Sequence, residues 1–211
     1  MDAVTAKQLI ALFEAIATRV ETEKDRLSEL DGAIGDGDHG VSMSIGFSAV
    51  TDALSRLEDP DPAAVFNAAA RSFLNAVGAS AGPLYATAFM RAGAAAKGHA
   101  VLDRDGFARA LLAMAQGVRE RGKAEPGEKT MVDAWAPAAE AAQAALDRGE
   151  PLGAILTAAA AAAREGAEAT KAMLATKGRA SRLGERSIGH MDPGAASAAL
   201  IVGTVADTIG R

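Results

Sequence analysis

Apolar residues recur along the chain at three- and four-residue steps, the spacing that places side chains on one face of a helix. The first run holds Leu9, Leu12, Phe13, Ile16 and Val20, and similar runs follow after short breaks rich in glycine, proline or aspartate. The pattern predicts eight amphipathic helices, near residues 3–27, 41–57, 61–77, 83–97, 105–121, 130–147, 151–175 and 194–210. We find no alternation typical of strands. The sequence therefore predicts an all-α protein of one domain, spanning residues 1–211, in which neighbouring helices run antiparallel.

The composition supports a helical core built from small side chains. Of the 211 residues, 49% are hydrophobic but only 4% are aromatic. Alanine favours helices, whereas strands favour branched and aromatic residues, so closely packed helices suit this chain better than sheets. Asp61 and Pro62 also predict a helix start, since aspartate suits the N-cap and proline the first helical position.

Charge and cysteine content narrow the classes of function. The formal net charge is −5 with no basic block, which argues against a nucleic-acid or anionic-membrane partner. The chain has no cysteine, so neither a disulfide nor a thiolate metal site is expected. The acidic N-terminus lacks the pattern of a signal peptide, and no apolar run approaches the roughly 20 residues that span a bilayer. We therefore expect a cytoplasmic protein.

Four segments break the helical pattern, at residues 28–40, 78–83, 121–130 and 176–194. They follow the first, third, fifth and seventh predicted helices. Alternate loops of an up-and-down helical arrangement emerge at the same end, so we expect these segments to meet at one rim. Because functional residues concentrate on loops, this rim is the predicted functional site.

Residues 35–40 read GDGDHG and match the glycine pattern of dinucleotide-binding loops. That motif requires a preceding strand, whereas a helix is predicted here, and the carboxylates would repel a bare pyrophosphate. An EF-hand fails as well, because the twelfth position counted from Asp36 is Phe47 and not glutamate. Residues 122–130, GKAEPGEKT, come close to a phosphate-binding P-loop, but Glu128 interrupts the motif and no strand leads into it.

Asp31, Asp36 and Asp38 lie within eight residues, and the glycines between them let the backbone fold so that the carboxylates converge. Three like charges at close range are unfavourable unless a cation neutralises them. An all-oxygen ligand set favours magnesium or calcium over zinc, and magnesium commonly completes its coordination with water and substrate phosphates. The alternative is that the aspartates only cap the second helix, with Asp38 near its start.

The other segments offer groups that bind phosphate. In GASAGPL, residues 78–84, glycines expose backbone N–H groups at a helix start, and Ser80 adds a hydroxyl. Residues 176–194 carry four basic side chains among glycines and could fold over phosphates as a lid. These are Lys177, Arg179, Arg182 and Arg186. A plain turn in the first segment and a solvated basic loop in the second are the alternatives, and no covalent nucleophile stands out.

Four motifs resemble those of the nucleotide-binding L subunit of dihydroxyacetone kinase: LDGAIGDGDHG, GASAGPL, RGKAEPGEKTMVDAW and KGRASRLGERSIGHMDPGA. The same domain forms the C-terminal half of ATP-dependent dihydroxyacetone kinases, and the likeness runs from the first helix to the last. The resemblance implies a barrel of eight antiparallel amphipathic helices with the nucleotide and metal site at one rim. It also implies that Asp31, Asp36 and Asp38 hold two magnesium ions, which carry the nucleotide phosphates.

The resemblance further implies which residues contact the nucleotide, carried over motif by motif. They are His39, Val41, Ser42, Ser80, Ala81, Gly122, Met131, Arg179, Asp192, Pro193 and Gly194. The three aspartates and Arg179 form the implied catalytic set. One motif departs from the family pattern, since many relatives have glycine-alanine-serine where this chain has Ala79, Ser80 and Ala81. The phosphate-facing hydroxyl is therefore expected to be shifted or missing.

The implied function is that of a kinase subunit that is inactive alone. A separate K subunit holds dihydroxyacetone or a related short ketose, and this chain presents magnesium-bound nucleotide for phosphoryl transfer, a step of glycerol metabolism. In one branch ADP stays bound as a coenzyme and a phosphotransferase-system protein rephosphorylates it; in the other, ATP exchanges freely. A chain without a fused K domain favours the first branch. A nucleotide-binding regulatory module and a metal-dependent phosphohydrolase are the alternatives, and a homodimer is compatible with the sequence.

Overall fold

The computed structural model describes residues 3–210, and helices dominate it, which confirms the prediction of a mainly helical protein. The elements are β1 (Ala3–Thr5), α1 (Ala6–Thr22), α2 (Lys24–Ile34), α3 (His39–Leu54), α4 (Pro62–Ala76), α5 (Ala81–Ala95), β2 (Val101–Asp103), α6 (Arg104–Gly122), α7 (Val132–Asp147), α8 (Leu152–Ala169) and α9 (Pro193–Ile209). Two short 3₁₀ helices, Thr170–Ala172 and Ala180–Ser187, lie between α8 and α9. Within the described range no helix is both long and apolar enough to cross a membrane.

Aspartate side chains fix the starts of several helices. Asp61 accepts a hydrogen bond from the backbone N–H of Ala64 at 2.7 Å, and Pro62 occupies the first helical position, as the sequence predicts. Asp103 and Asp192 cap α6 and α9 in the same way, each over 2.7 Å. Such caps satisfy N–H groups that have no partner within the helix, so they define where these helices begin.

The helices pack in a closed order. From α3 to α9 each helix packs against the next one along the chain, α1 packs against α3, and α9 returns to α1. Helix α2 lies beside this order and contacts mainly α3 and α9. The interior holds an aromatic cluster whose ring centroids are 5.2–6.3 Å apart, formed by Phe13, Phe47, Phe73, Tyr85 and Phe89. Alanines fill much of the remaining core, which retains an apolar cavity of about 30 Å³.

The first predicted helix, residues 3–27, is two helices in the structure. The chain bends at Glu23, which ends α1, and α2 then continues to Ile34. Val20 and Leu27, on either side of the bend, are both buried. The apolar periodicity is therefore continuous through Glu23, and periodicity alone does not reveal the bend. The described residues therefore contain nine α-helices where eight were predicted, and part of the segment 28–40 is helical.

The expectation that the chain has no strand is wrong for two short segments. β1 and β2 pair antiparallel, with Val4 opposite Leu102, and both of these side chains are buried. Each strand has three residues, too few to display the alternation on which strand prediction depends. The pair ties the start of α1 to the start of α6.

Candidate functional site

A cleft of about 200 Å³ opens where α3, α5, α7 and α9 begin. Residues from all four segments that break the helical pattern line it, so the structure brings the predicted rim segments together. Helix N-termini expose backbone N–H groups and carry partial positive charge. Four of them around one cleft favour an anionic ligand.

Three carboxylates lie together at this cleft. Asp31 is on the last turn of α2, and Asp36 and Asp38 follow in the loop that leads into α3. One oxygen from each carboxylate lies within 4.8 Å of the other two. Asp31 Oδ2 also accepts hydrogen bonds from the backbone N–H groups of Asp38, at 2.9 Å, and of His39, at 3.2 Å. The same carboxylate therefore belongs to the cluster and holds the loop that carries the rest of it.

Two glycines permit this close arrangement. Gly37 has a φ of +79°, a conformation that glycine adopts without strain. A Cβ atom on Gly35 would lie 2.2 Å from Asp31 Oδ1, so a larger residue there would displace the carboxylate. The glycine–aspartate spacing in the sequence thus has a direct geometric reason.

The alternative that the aspartates cap the helix beginning at His39 is met by Asp31 and not by Asp38. Asp38 immediately precedes α3, but its side chain makes no capping hydrogen bond. Asp31 accepts the N–H group of His39, the first residue of that helix. The carboxylates of Asp36 and Asp38 are both exposed at the cleft, and that of Asp38 makes no capping hydrogen bond that would compete with a ligand.

The donor set fits a hard divalent cation. All three side chains offer oxygen, and three carboxylates would leave further coordination positions to water and phosphate oxygens. The positive charge nearest to Asp36 is the guanidinium of Arg179, which forms an ion pair with that carboxylate. The carboxylates and Arg179 thus meet at one point of the cleft, where both can act on a bound phosphate.

His39 anchors the start of α3 to the core. Its Nε2 lies 2.9 Å from Ser197 Oγ on α9, and the Tyr85 hydroxyl lies 3.5 Å from the same oxygen. Ser197 in turn donates to the carbonyl of Gly194 at 3.0 Å. Burial lowers the pKa of His39 below its usual value, although the Asp31 charge opposes this, so burial favours the neutral imidazole. Its ring therefore holds the aspartate loop against α9.

The segment between α8 and α9 passes over the carboxylates. The helix predicted at 151–175 ends at Ala169, and the chain then tightens into the first 3₁₀ helix. Beyond it, Arg179 reaches Asp36, while Lys177 Nζ lies 3.7 Å from a carboxylate oxygen of Glu128. The two other basic residues of this segment, Arg182 and Arg186, do not line the cleft.

Asp192, at the start of α9, has a perturbed carboxyl group. Burial raises its pKa to about 7, while the hydrogen bond from the Ala195 N–H and the Lys129 ammonium oppose the rise. The group faces the cleft beside Pro193 and Gly194.

Most of the predicted nucleotide contacts line the cleft, and two do not. Those that line it are His39, Ser42, Ser80, Ala81, Met131, Arg179, Asp192, Pro193 and Gly194. Val41 lies on α3 with 47% of its surface exposed, outside the lining. Gly122 ends α6, and a Cβ atom there would lie 3.3 Å from Leu84 Cδ2, whose residue does line the cleft. Gly122 therefore borders the site through Leu84, whereas no contact within the described range links the Val41 side chain to the lining.

The cleft also contains residues that sequence reasoning missed. Ile34 and Leu84 give it apolar walls, and Lys129 and Thr130 line it beside Met131. For Lys129 and Thr130, the sequence offered one signal, the near match to a P-loop at residues 122–130. Apolar wall residues have no such indication, because their spacing is that of ordinary helix packing.

A family model described as the DAK2 domain matches residues 33–207. The chain belongs to the DAK2 domain family. The matched range begins near the end of α2 and ends in α9, so it contains every lining residue of the cleft except Asp31, which lies two residues before it.

This DAK2 protein is similar to named kinase subunits. It is 42% identical over 183 residues to the ADP-binding subunit DhaL of PEP-dependent dihydroxyacetone kinase 1 from Listeria innocua, covering 87% of this chain and 86% of the relative. It is also 42% identical over 176 residues to the ADP-binding subunit DhaL of the PEP-dependent dihydroxyacetone kinase from Escherichia coli, covering 83% and 84%.

The fold is similar to that of a solved kinase. The crystal structure of the dihydroxyacetone kinase from C. freundii in complex with AMP-PNP and Mg²⁺ superposes with a TM-score of 0.69, at 24% identity over 98% of this chain. The DAK2 protein spans 34% of that longer chain. At this identity the likeness concerns the fold alone.

Proposed function

We propose that this DAK2 protein is the ADP-binding subunit of a dihydroxyacetone kinase, or of a kinase for a related short ketose. The observation that carries the proposal is the cleft in which three converging carboxylates face the starts of four helices. Carboxylates alone would repel a nucleotide. A magnesium–nucleotide complex needs both features, oxygen ligands for the cation and N–H groups for the phosphates.

In this proposal the acidic residues of the cleft bind the cations, and the basic and N–H groups bind the phosphates. Asp31, Asp36 and Asp38 would hold two magnesium ions, which supply charge neutralisation for the phosphates and for the transferring phosphoryl group. Arg179 binds phosphate oxygens from the overlying segment through its guanidinium. Backbone N–H groups at the starts of α3, α5, α7 and α9 orient the phosphates. The absence of a candidate nucleophile is consistent with direct phosphoryl transfer, in which positioning and charge do most of the work.

The proposed nucleotide contacts follow the motifs of the family. They are His39, Val41, Ser42, Ser80, Ala81, Gly122, Met131, Arg179, Asp192, Pro193 and Gly194. Ser80 lies at the start of α5, and its hydroxyl makes no capping hydrogen bond, so it is free to contact a phosphate. Ala81 offers only its backbone there.

We also propose that the closed packing order is the family's barrel of eight antiparallel helices, formed by α1 and α3 to α9, in one domain spanning residues 1–211. The return of α9 to α1 supports this assignment. Helix α2 would then be an addition at the rim whose last turn supplies Asp31.

The proposed partners are a K subunit that holds the ketose and a phosphotransferase-system protein that rephosphorylates bound ADP. The names of the two bacterial relatives support the ADP branch, because both kinases are called PEP-dependent and both subunits ADP-binding. Such a partner set implies a cytoplasmic location. The exposed mouth of the cleft beside Asp36 and Asp38 is where the K subunit would approach.

Reconstitution tests the proposal. We expect dihydroxyacetone phosphate to form when the protein is combined with dihydroxyacetone, a K subunit, phosphoenolpyruvate and the phosphotransferase-system proteins, and not when any one of them is omitted. Equal or higher activity with ATP in place of the donor system would assign the protein to the ATP-dependent branch. If no product forms with either phosphoryl donor, the kinase proposal fails and a nucleotide-binding regulatory module is favoured.

A further inference from the structure

Lys129 is a buried lysine whose ammonium group is directed at backbone oxygens. The side chain is 1% exposed. Its Nζ donates a hydrogen bond to the carbonyl of Thr170, over 2.5 Å, and another to the carbonyl of His190. These two acceptors are far from Lys129 in the sequence, and each lies on a different side of the arginine-bearing segment.

Thr170 and His190 are the two ends of that segment. Thr170 follows the last residue of α8, and His190 stands just before the cap of α9. We call residues 171–190 the arginine loop, since they include Arg179. Two further hydrogen bonds close its base: Gly189 N–H donates to the carbonyl of Lys171 over 2.7 Å, and Asp192 N–H donates to Thr170 Oγ1 over 2.9 Å. Lys129 thus completes a set of bonds that holds both ends of the loop at one place.

Lys129 lies near two carboxylates, and one of them also shapes the turn that carries it. Burial lowers the pKa of Lys129, while the nearby Asp192 and Asp133 carboxylates oppose the shift. Asp133 itself accepts hydrogen bonds from the N–H groups of Gly127, at 2.5 Å, and Thr130, at 2.7 Å, which shapes the turn that carries Lys129. That turn has Lys129 at a φ of +60°, a strained conformation for a residue with a side chain. Burial and backbone strain are both unfavourable, so the contacts of the ammonium group must compensate for them.

We propose that Lys129 is a positioning residue that fixes both ends of the arginine loop and thereby places Arg179 over the carboxylates of the cleft. Arg179 itself lies on exposed backbone between these ends and pairs with Asp36. Without Lys129, the base of the loop would keep only the bonds between Gly189 and Lys171 and between Asp192 and Thr170, so the loop that carries Arg179 would move more freely. The part of this inference that concerns nucleotide retention rests on the proposed function; the part that concerns the loop does not.

The test compares Lys129→Met with a matched control, Lys123→Met, in the full chain. Methionine keeps an unbranched side chain of similar length but removes the donors. Lys123 lies on the same segment with a comparable φ of +48°, yet it is exposed. Hydrogen–deuterium exchange of residues 173–190 is measured first, and the dissociation rate of ADP in the presence of magnesium second.

The expected result is exchange in the arginine loop on the order of tenfold faster or more in Lys129→Met, the effect of losing hydrogen bonds from a charged donor. Exchange in α4 should stay unchanged, and Lys123→Met should match the wild type. ADP should dissociate on the order of tenfold faster from Lys129→Met. This increase should disappear in an Arg179→Ala background, because a residue that acts through Arg179 has no effect once Arg179 is gone.

Loop exchange in Lys129→Met equal to that in Lys123→Met would overturn the proposal. So would an equal increase in ADP dissociation with and without Arg179, since Lys129 would then act by another route. If the wild type binds no ADP, the proposed function fails, while the exchange comparison still decides whether Lys129 holds the loop. If Lys129→Met does not fold, Lys129→Gln replaces it, and the wild-type amides of Gly189 and Asp192 provide a second measurement: rapid exchange there would contradict a fixed base.

Discussion

Asp31 shows how one side chain can organise a charged cluster. Its Oδ2 accepts the N–H groups of Asp38 and His39, and the residue also contributes an oxygen to the three-carboxylate group. N–H donors stabilise a carboxylate and offset part of the repulsion from its neighbours. The loop is therefore held in shape by its own hydrogen bonds, and a cation would meet ligands that are already in place.

The raised pKa of Asp192 predicts a pH-dependent gain in stability for Asp192→Asn. A pKa of about 7 against an ordinary 3.8 means that the folded protein holds the proton more tightly than the unfolded chain. The carboxyl thus costs no stability below about pH 4, and its cost grows as the pH rises towards 7 and is complete above it. Asparagine stays neutral and is also a good N-cap.

We therefore expect the melting temperature of Asp192→Asn to exceed that of the wild type at about pH 8, with the difference shrinking towards about pH 4. Thermal unfolding of both proteins across this range, without magnesium, is the measurement. A melting-temperature difference that does not change with pH would show that the pKa of Asp192 is not raised, and a wild type that is the more stable protein at alkaline pH would show that Lys129 stabilises the ionised carboxylate.

The chemistry of single residues was partly visible in the sequence. Asp31, Asp36 and Asp38 stand out by type and spacing, and Arg179 by its place among glycines. Lys129 does not, because its role depends on carbonyls 41 and 61 positions away. Neither residue type nor local spacing contains that information.

At the scale of elements, most helices are predictable and their junctions are not. Apolar periodicity finds the helices, and Asp61 with Pro62 marks one start correctly. The bend at Glu23 interrupts no periodicity, so α2 and the helical position of Asp31 escape prediction. The two strands are too short to show a pattern, and their pairing joins distant parts of the chain.

Close packing of α7 against α8 predicts a cost for Gly166→Ala. A Cβ atom at Gly166 would lie 2.0 Å from the backbone oxygen of Asp133 and 2.9 Å from Pro137 Cγ. The helices would have to separate, which we expect to reduce the free energy of unfolding by about 1–3 kcal/mol. Urea denaturation measures this change.

Gly203→Ala is the matched control, since this glycine is also inside a helix but has no atom within 4 Å of an added Cβ. There we expect a gain of up to about 1 kcal/mol from the higher helix propensity of alanine. Equal effects of the two substitutions would contradict the described contact between α7 and α8.

At the scale of the whole molecule, topology creates the site. The helices α3, α5, α7 and α9 all begin at the cleft, as expected when helices that neighbour each other in the chain run in opposite directions. This convergence is predictable from the order of helices and loops. The return of α9 to α1 is not, because periodicity identifies buried faces without saying which faces meet.

The central claim, that the cleft holds ADP through magnesium on the aspartates, is tested most directly by the nucleotide content of the purified protein. The measurement is to denature freshly purified protein and quantify the released nucleotide, with Asp36→Asn beside it and Asp25→Asn as a control on an exposed acid of α2. We predict close to one ADP per chain for the wild type and for Asp25→Asn, and little or none for Asp36→Asn, whose helical circular dichroism should be unchanged. Equal nucleotide content in all three proteins, or a wild type that neither contains ADP nor binds it with magnesium, would contradict the account.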